Sequence, residues 1–176
     1  MSEVWNKVYK SDSTFFGEEP SNFALLCFNH MKNNNVKKVL EKKAKEKRLP
    51  IKPRIFDVKK NPLPFQDGYF DAIYSHMLLN MRFSLEELHF IFSEIRRVLK
   101  HKGWNFFSVR NHNDKSYGKG VGIDKGIYDI NGFQIRFFTK KEIKDLAATT
   151  EGFEIIWIKE EFEEPVTLYL VSSKKP

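Results

Sequence analysis

Residues 70–110 read FDAIYSHMLLNMRFSLEELHFIFSEIRRVLKHKGWNFFSVR, and their periodicities decide the fold. "FDAIYS" is apolar on both faces apart from Asp71 at its start, the pattern of a strand buried in a parallel sheet. Ser84 is placed as an N-cap with Glu87 three residues on, a capping box that opens a helix. Leu85, Leu88, Phe92, Ile95 and Leu99 fall on one helical face, widened by Ile91 and Val98, and Gly103 stands where the helix is expected to end. "WNFFSVR" follows as another strand. Strand, long helix and strand in that order make a βαβ unit.

Outward from this unit, "RIFDV" at 54–58 reads as a short strand and "KKNPLPFQDGYF" as a loop punctuated by proline and glycine. Upstream, Pro20 and the stripe Phe23, Leu26, Cys27 predict a helix over 21–32. "NNN" at 33–35 breaks it. Val36, Leu40 and Ala44 then recur at every fourth position among lysines, which predicts a second helix ended by Pro50 and Pro53. Downstream, residues 111–134 read as a long polar loop containing the only glycine cluster, "GKGVG" at 118–122. After it come a strand "IRFF", a helix "TKKEIKDLAAT" capped by Thr139 with Glu142, and two strands, "GFEIIWIKEE" and "EPVTLYLVSSK", close enough to pair antiparallel.

With 176 residues, 41% hydrophobic and 15% aromatic, the chain suffices for one domain, 1–176, with a real core. Thirty Lys and Arg against 23 Asp and Glu leave a formal charge of +7, spread along the chain, so nucleic acid is an unlikely partner on charge alone. The lysine-rich face at 37–48 includes Glu41 and Glu46 and reads first as a solvated face, second as a polyanion site. Cys27 is the single cysteine, which excludes a disulfide framework and fits a reducing cytoplasm. No apolar run reaches the roughly 20 residues of a membrane span, and the first residues show no signal-peptide pattern.

Asp57, "LPFQDGYFDAIYS", "SEIRRVLK" and Gly103, followed by two adjacent terminal strands, resemble the class I S-adenosylmethionine-dependent methyltransferases over roughly the C-terminal two thirds of the chain. The resemblance implies an α/β fold: a truncated Rossmann-like sheet of parallel strands plus a C-terminal antiparallel pair, flanked by helices. It implies S-adenosylmethionine as the cofactor, if any is bound. Asp57 would contact the adenine amino group with the backbone of Val58 beside it, and Ser75 and His76 would line the sulfonium side. Arg110, Asn111 and His112 would face the substrate, Arg110 holding an anionic group and His112 exchanging a proton. Read without the family, Asp57 caps a turn, His76 is a hydrogen-bonded structural histidine, and the 110–114 run is a solvated loop. Methyl transfer needs proximity and alignment more than a fixed side chain, so no catalytic residue is assigned. His76 and His112 lack metal-ligand spacing, so no metal is expected.

One part of the family pattern is missing. Members carry a glycine-rich loop of the E.G.G.G type after the first strand, then a helix and a second strand. Here "VKKVLE" runs directly into "KKAKEKRLP", and no glycine lies between Gly17 and Gly68. The junction predicts that "VKKVLE" has become helical, with Val36, Leu40 and Ala44 facing the core. "GKGVG" follows a polar loop and precedes no clear helix, so it is expected to be a flexible loop rather than a relocated cofactor site. In the family order 3-2-1-4-5-7-6, loss of the first two strands leaves "FDAIYS" as a sheet edge, closed by "RIFDV" or by a second chain, hence an expected homodimer. Two functions follow as expectations: a family methyltransferase whose own catalysis is impaired, or a non-catalytic binding or structural protein built on the same fold.

Overall fold

The computed structural model describes residues 23–27, 39–40, 57–59, 61–149 and 152–176. The main sheet has the order β1-β2-β3-β8-β7, with β1 Val39–Leu40, β2 Phe70–His76, β3 Leu99–Arg110, β7 Glu154–Glu163 and β8 Val166–Lys174. The first three are parallel, β8 runs antiparallel to β3, and β7 pairs antiparallel with β8. This is the 1-4-5-7-6 portion of the family order, in a mixed α/β architecture.

The strand period of two assigns side chains to the two faces. Ile73, Phe107, Val109, Tyr169 and Val171 face one way, into a core shared with α1 (Leu85–Val98) and α2 (Lys140–Thr149). Ala72, Phe106, Leu168 and Leu170 face the other, where Phe23 and Cys27 of a helical stretch at 23–27 are buried against them. Helical cover on both faces explains why β2 and β3 are apolar on both. The remainder of the predicted 21–32 helix lies outside the described residues.

α1 begins as predicted: Glu87 N donates to Ser84 Oγ at 3.1 Å and Ser84 N to Glu87 Oε2 at 2.8 Å. Its end differs. Leu99 is already extended and opens β3, so Gly103 is not the terminator. Tertiary donors replace a glycine cap: Gly68 N reaches Arg97 O at 3.0 Å, and Lys175 Nζ reaches Arg96 O and Leu99 O at 2.8 and 2.7 Å. Between helix and regular strand the pairing jumps from Phe70–Leu99 to Ala72–Trp104, with Lys102 left-handed at φ 61°. Gly103 serves close packing instead, since a Cβ there would lie 2.8 Å from Lys100 O.

Two further expectations are corrected. Val39 and Leu40 are strand, not helix, paired with Ala72 and Ile73. The open backbone groups of β2 offer a ladder that outweighs a weak helical stripe. They also cover part of the edge that the sequence left bare. Residues 111–134 are not one loop: β4 Val121–Asp124, β5 Ile127–Ile130 and β6 Phe133–Arg136 form a second, antiparallel sheet. "GKGVG" leads into β4, and Gly120, at φ 81°, packs so closely that a Cβ would meet Asp129 O. "RIFDV" is not strand at its end, for Asp57 is irregular and Val58 and Lys59 form a turn; residues 54–56 lie outside the described residues. α2 and its Thr139–Glu142 box, and the β7–β8 hairpin, stand as expected.

Candidate functional site

Ligands in open α/β sheets sit beyond the carboxyl ends of the parallel strands. In this chain that end is built from the segment after β2, the segment after β3 and the β4–β6 sheet.

β2 ends in Ser75 and His76, then turns sharply at Met77, φ 52°, into a short 3-10 helix, Leu78–Asn80. Ser75 Oγ is buried without a hydrogen-bond partner. His76 points to the opposite face: its Nδ1 lies 2.8 Å from Ser108 Oγ, and its Nε2 3.6 Å from Glu163 Oε1. Met77 N donates to the same Ser108 hydroxyl at 3.1 Å. With the hydroxyl proton on Nδ1 and the ring proton on Nε2 toward Glu163, all these groups are satisfied at once. Serine, histidine and an acid stand in sequence, yet Ser108 is fully buried in β3, so it is no nucleophile. The triad locks β2, β3 and β7 together.

The residues predicted to face the substrate are likewise engaged. Arg110 Nε and Nη2 hold Asp114 at 3.0 and 2.7 Å, and the guanidinium lies 5.0 Å from the Phe137 ring. Burial pushes the Asp114 carboxyl up, but Arg110 and the N–H groups of Ser116 and Thr167 together outweigh it and hold the carboxyl below its ordinary value. Asn111, fully buried, donates to Glu160 Oε2 at 3.0 Å and accepts from Asn113 N at 2.8 Å. His112 stacks on Tyr117 with centroids 4.1 Å apart, its Nε2 buried without a partner.

Asp57 is exposed, and its carboxylate accepts from Lys59 N at 3.0 Å, the turn-capping role read from the residues alone. Val58 packs against the α1 side of the core. Lys59 ties this turn to the rest of the site, donating to Arg82 O at 3.2 Å and lying 3.6 Å from Glu87. Among the described residues no three His, Cys, Asp or Glu are grouped to hold a metal, and no helix is long and apolar enough to cross a membrane.

The β4–β6 sheet was missed, although "DINGFQIR" carries the Asn-Gly signature of a two-residue hairpin. Asn131 and Gly132 are both left-handed, at φ 55° and 84°, between β5 and β6. Two further residues stand at this end, Asn80 at the end of the 3-10 helix and Arg136 in β6. Both are buried to 7% exposure, and each keeps a buried donor, Asn80 Nδ2 and Arg136 Nε, without a partner.

The sequence family described as "Methyltransferase domain" matches residues 22–107, and no curated protein matches the chain. Among solved structures, the chain is similar to a SAM-dependent methyltransferase from Methanosarcina mazei: 21% identity, TM-score 0.60, covering 69% of this chain and 66% of that one. It is also similar to an S-adenosylmethionine-dependent methyltransferase from Mesorhizobium loti, with 16% identity, TM-score 0.59 and 87% of each chain covered. The third is 1,6-didemethyltoxoflavin-N1-methyltransferase from Burkholderia thailandensis, solved with 1,6-didemethyltoxoflavin and S-adenosylhomocysteine, at 16% identity and TM-score 0.50, with 67% of this chain covered. The chain spans 66% of the first of these proteins and 48% of the third. These structural likenesses are of fold, and they agree with the family match over residues 22–107 and with the sheet order: the chain has the fold of the S-adenosylmethionine-dependent methyltransferases, and its residues 22–107 match their family model.

Proposed function

We propose that this chain does not bind S-adenosylmethionine by itself, and that it acts as a non-catalytic binding or structural protein on a methyltransferase fold. The observation that carries this reading is the direct passage from Val39–Leu40, a strand parallel to β2, to Glu41-Lys42-Lys43, where the family's glycine loop would begin. A glycine loop lets backbone N–H groups approach a ligand where any side chain would intrude. No glycine is available there. The remaining family contacts fit the cofactor poorly, since the Asp57 carboxylate serves its own turn and His76 is held by Ser108.

A second reading, methyl transfer in a site completed by another chain, draws support from Ser75, whose buried, unpartnered Oγ sits at the carboxyl end of β2. It also draws on the bound S-adenosylhomocysteine of the Burkholderia relative. The proposed homodimer belongs with either reading: among the described residues, β1 pairs with Ala72 and Ile73 of the seven-residue β2, and a partner strand would extend that ladder. A cytoplasmic setting is part of the same proposal.

Isothermal titration with S-adenosylhomocysteine and S-adenosylmethionine tests the first reading. The expected result is no saturable heat up to about 1 mM ligand, an affinity weaker than about −4 kcal/mol. A micromolar dissociation constant would overturn it.

A further inference from the structure

An arginine keeps its charge in any protein environment and offers five N–H donors. Arg136 is buried to 7% exposure, yet among the described residues its side chain makes a single hydrogen bond, Nη2 to Phe83 O at 2.9 Å. Its guanidinium lies 5.9 Å from the Phe138 ring, and its Nε is buried and unpartnered. No carboxylate is paired with it among the described residues. Glu142, whose field reaches Arg136, spends Oε2 on Thr139 N and Oγ1 at 2.7 Å each. Burial pulls the Arg136 guanidinium below its ordinary value against the fields of Glu142 and Asp124, the mark of a cation set apart from water without an adequate counter-charge.

A second open donor lies on the segment bridged to that of Arg136. Met81 and Ile135 form an isolated antiparallel bridge, which brings the segments of Arg82 and Gln134, and of Asn80 and Arg136, alongside one another. The first of these pairs is hydrogen-bonded, Arg82 Nη1 to Gln134 Oε1 at 3.2 Å. Asn80 is fixed through its Oδ1, which accepts from Arg110 N at 3.1 Å, so its amide must present Nδ2, and that donor is buried without a partner. Both residues come from elements at the carboxyl end of β2 and β3, where ligands of such sheets enter.

We propose that Asn80 and Arg136 form a binding site for an oxyanion, the carboxylate or phosphoryl group of a small ligand. An oxyanion accepts from both open donors and supplies the missing negative charge, and a guanidinium is well shaped to hold it. A lone buried water would satisfy hydrogen bonds but not the charge. The site stands whether or not the chain takes up S-adenosylmethionine, so its test is separate from the cofactor titration.

Thermal unfolding is followed in increasing inorganic phosphate and, in a parallel arm, acetate, at constant ionic strength set with sodium chloride. The expected result is a saturable rise in Tm of about 3–5 °C at ten times the dissociation constant in at least one arm. The arm that responds names the phosphoryl or the carboxylate source. Arg136→Met should abolish the rise and start from an equal or higher Tm, because the uncompensated charge is gone. Asn80→Asp keeps the acceptor for Arg110 N and places a carboxylate in the proposed site; it should raise the anion-free Tm and remove the response. The proposal is overturned if neither anion raises the Tm saturably, or if either variant responds as the parent does; should Arg136→Met fail to fold, Asn80→Asp alone decides.

Discussion

Arg97 Nη1 donates to Asp67 Oδ1 at 2.7 Å, joining α1 to the loop that precedes β2. The same guanidinium reaches Leu63 O, Phe65 O and both oxygens of Glu94, so all five of its N–H groups are used, and Glu94 Oε2 also accepts from Leu63 N. The two sequence signatures that carry the family resemblance, "LPFQDG" and "SEIRRVLK", are thus the two halves of one clamp. Their role is architectural. The clamp pins the loop at the amino end of β2, away from the carboxyl ends where a ligand would enter. Arg97→Met should cost about 2–3 kcal/mol, since it strands partly buried carbonyls and the Glu94 carboxylate. Asp67→Asn, at an exposed carboxylate, should cost under about 1 kcal/mol. Urea unfolding midpoints of the two variants separate these outcomes; equal losses would refute the clamp as described.

Acid sensitivity follows from two of these carboxylates. The hydrogen bond from Arg97 holds Glu94 below its ordinary value, although burial opposes it. Burial, the largest single influence on Asp114, pushes it up, but Arg110 and two backbone N–H groups together outweigh it and hold the carboxyl low. A carboxyl whose native value is depressed adds stability at every pH above its unfolded value, about 4, and loses it as the pH falls through the native value. Stability should therefore be level from neutrality to about pH 5 and fall steeply below about pH 4. Asp114→Asn should lower stability at pH 7 by about 3–5 kcal/mol, because it leaves Arg110 unpaired in a site where the Asp114 side chain is fully buried. It should also flatten the acid limb. Denaturant midpoints across pH 3–7 check both effects.

The sequence disclosed much of what depends on neighbours in the chain. The Ser84–Glu87 and Thr139–Glu142 boxes, the α1 stripe and the β7–β8 pair are local, and each stands where it was expected. It misread what depends on distant partners. Val39 and Leu40 carry a helical spacing, and only the open edge at Ala72 and Ile73 makes them strand. Arg110, Asn111 and His112 look like an open polar loop until Asp114, Glu160 and Tyr117 fold onto them. Asn80 and Arg136 carry no signal alone, because only a bridge between distant residues brings their segments alongside one another. The β4–β6 sheet hid for another reason: four-residue strands that are partly exposed show too little alternation, and only the Asn-Gly pair marked them.

Gly120 provides a test of whether the β4–β6 sheet is a fixed wall of the site. Its φ of 81° and a Cβ position overlapping Asp129 O leave no room for a side chain. Gly120→Ala should cost about 1–3 kcal/mol and act locally, since the obstacle is the β5 backbone. Amide exchange of β4 and β5 should accelerate while α1 stays protected. Unchanged exchange across β4 and β5 would mean that this sheet is not held by the contact.

The last prediction concerns the junction. β1 enters the main sheet beside β2 and ends at Leu40, so the position between Glu41 and Lys42 is where the family's glycine loop, helix and second strand would leave the carboxyl end of β1. A strand-to-strand unit needs roughly 30 residues, and β1 already has the register to launch it. Inserting such a segment from a family member between Glu41 and Lys42 should convert a chain without measurable S-adenosylhomocysteine binding into one with a micromolar dissociation constant, a gain of about 4 kcal/mol over the millimolar limit. An insertion of equal length made only of glycine and serine should give no binding, because it supplies freedom but no preformed row of N–H donors. If the parent chain binds as tightly as the family insertion, the cofactor site never depended on the missing segment; if neither binds while both remain folded, the loss lies in Asp57, Ser75 or His76 instead.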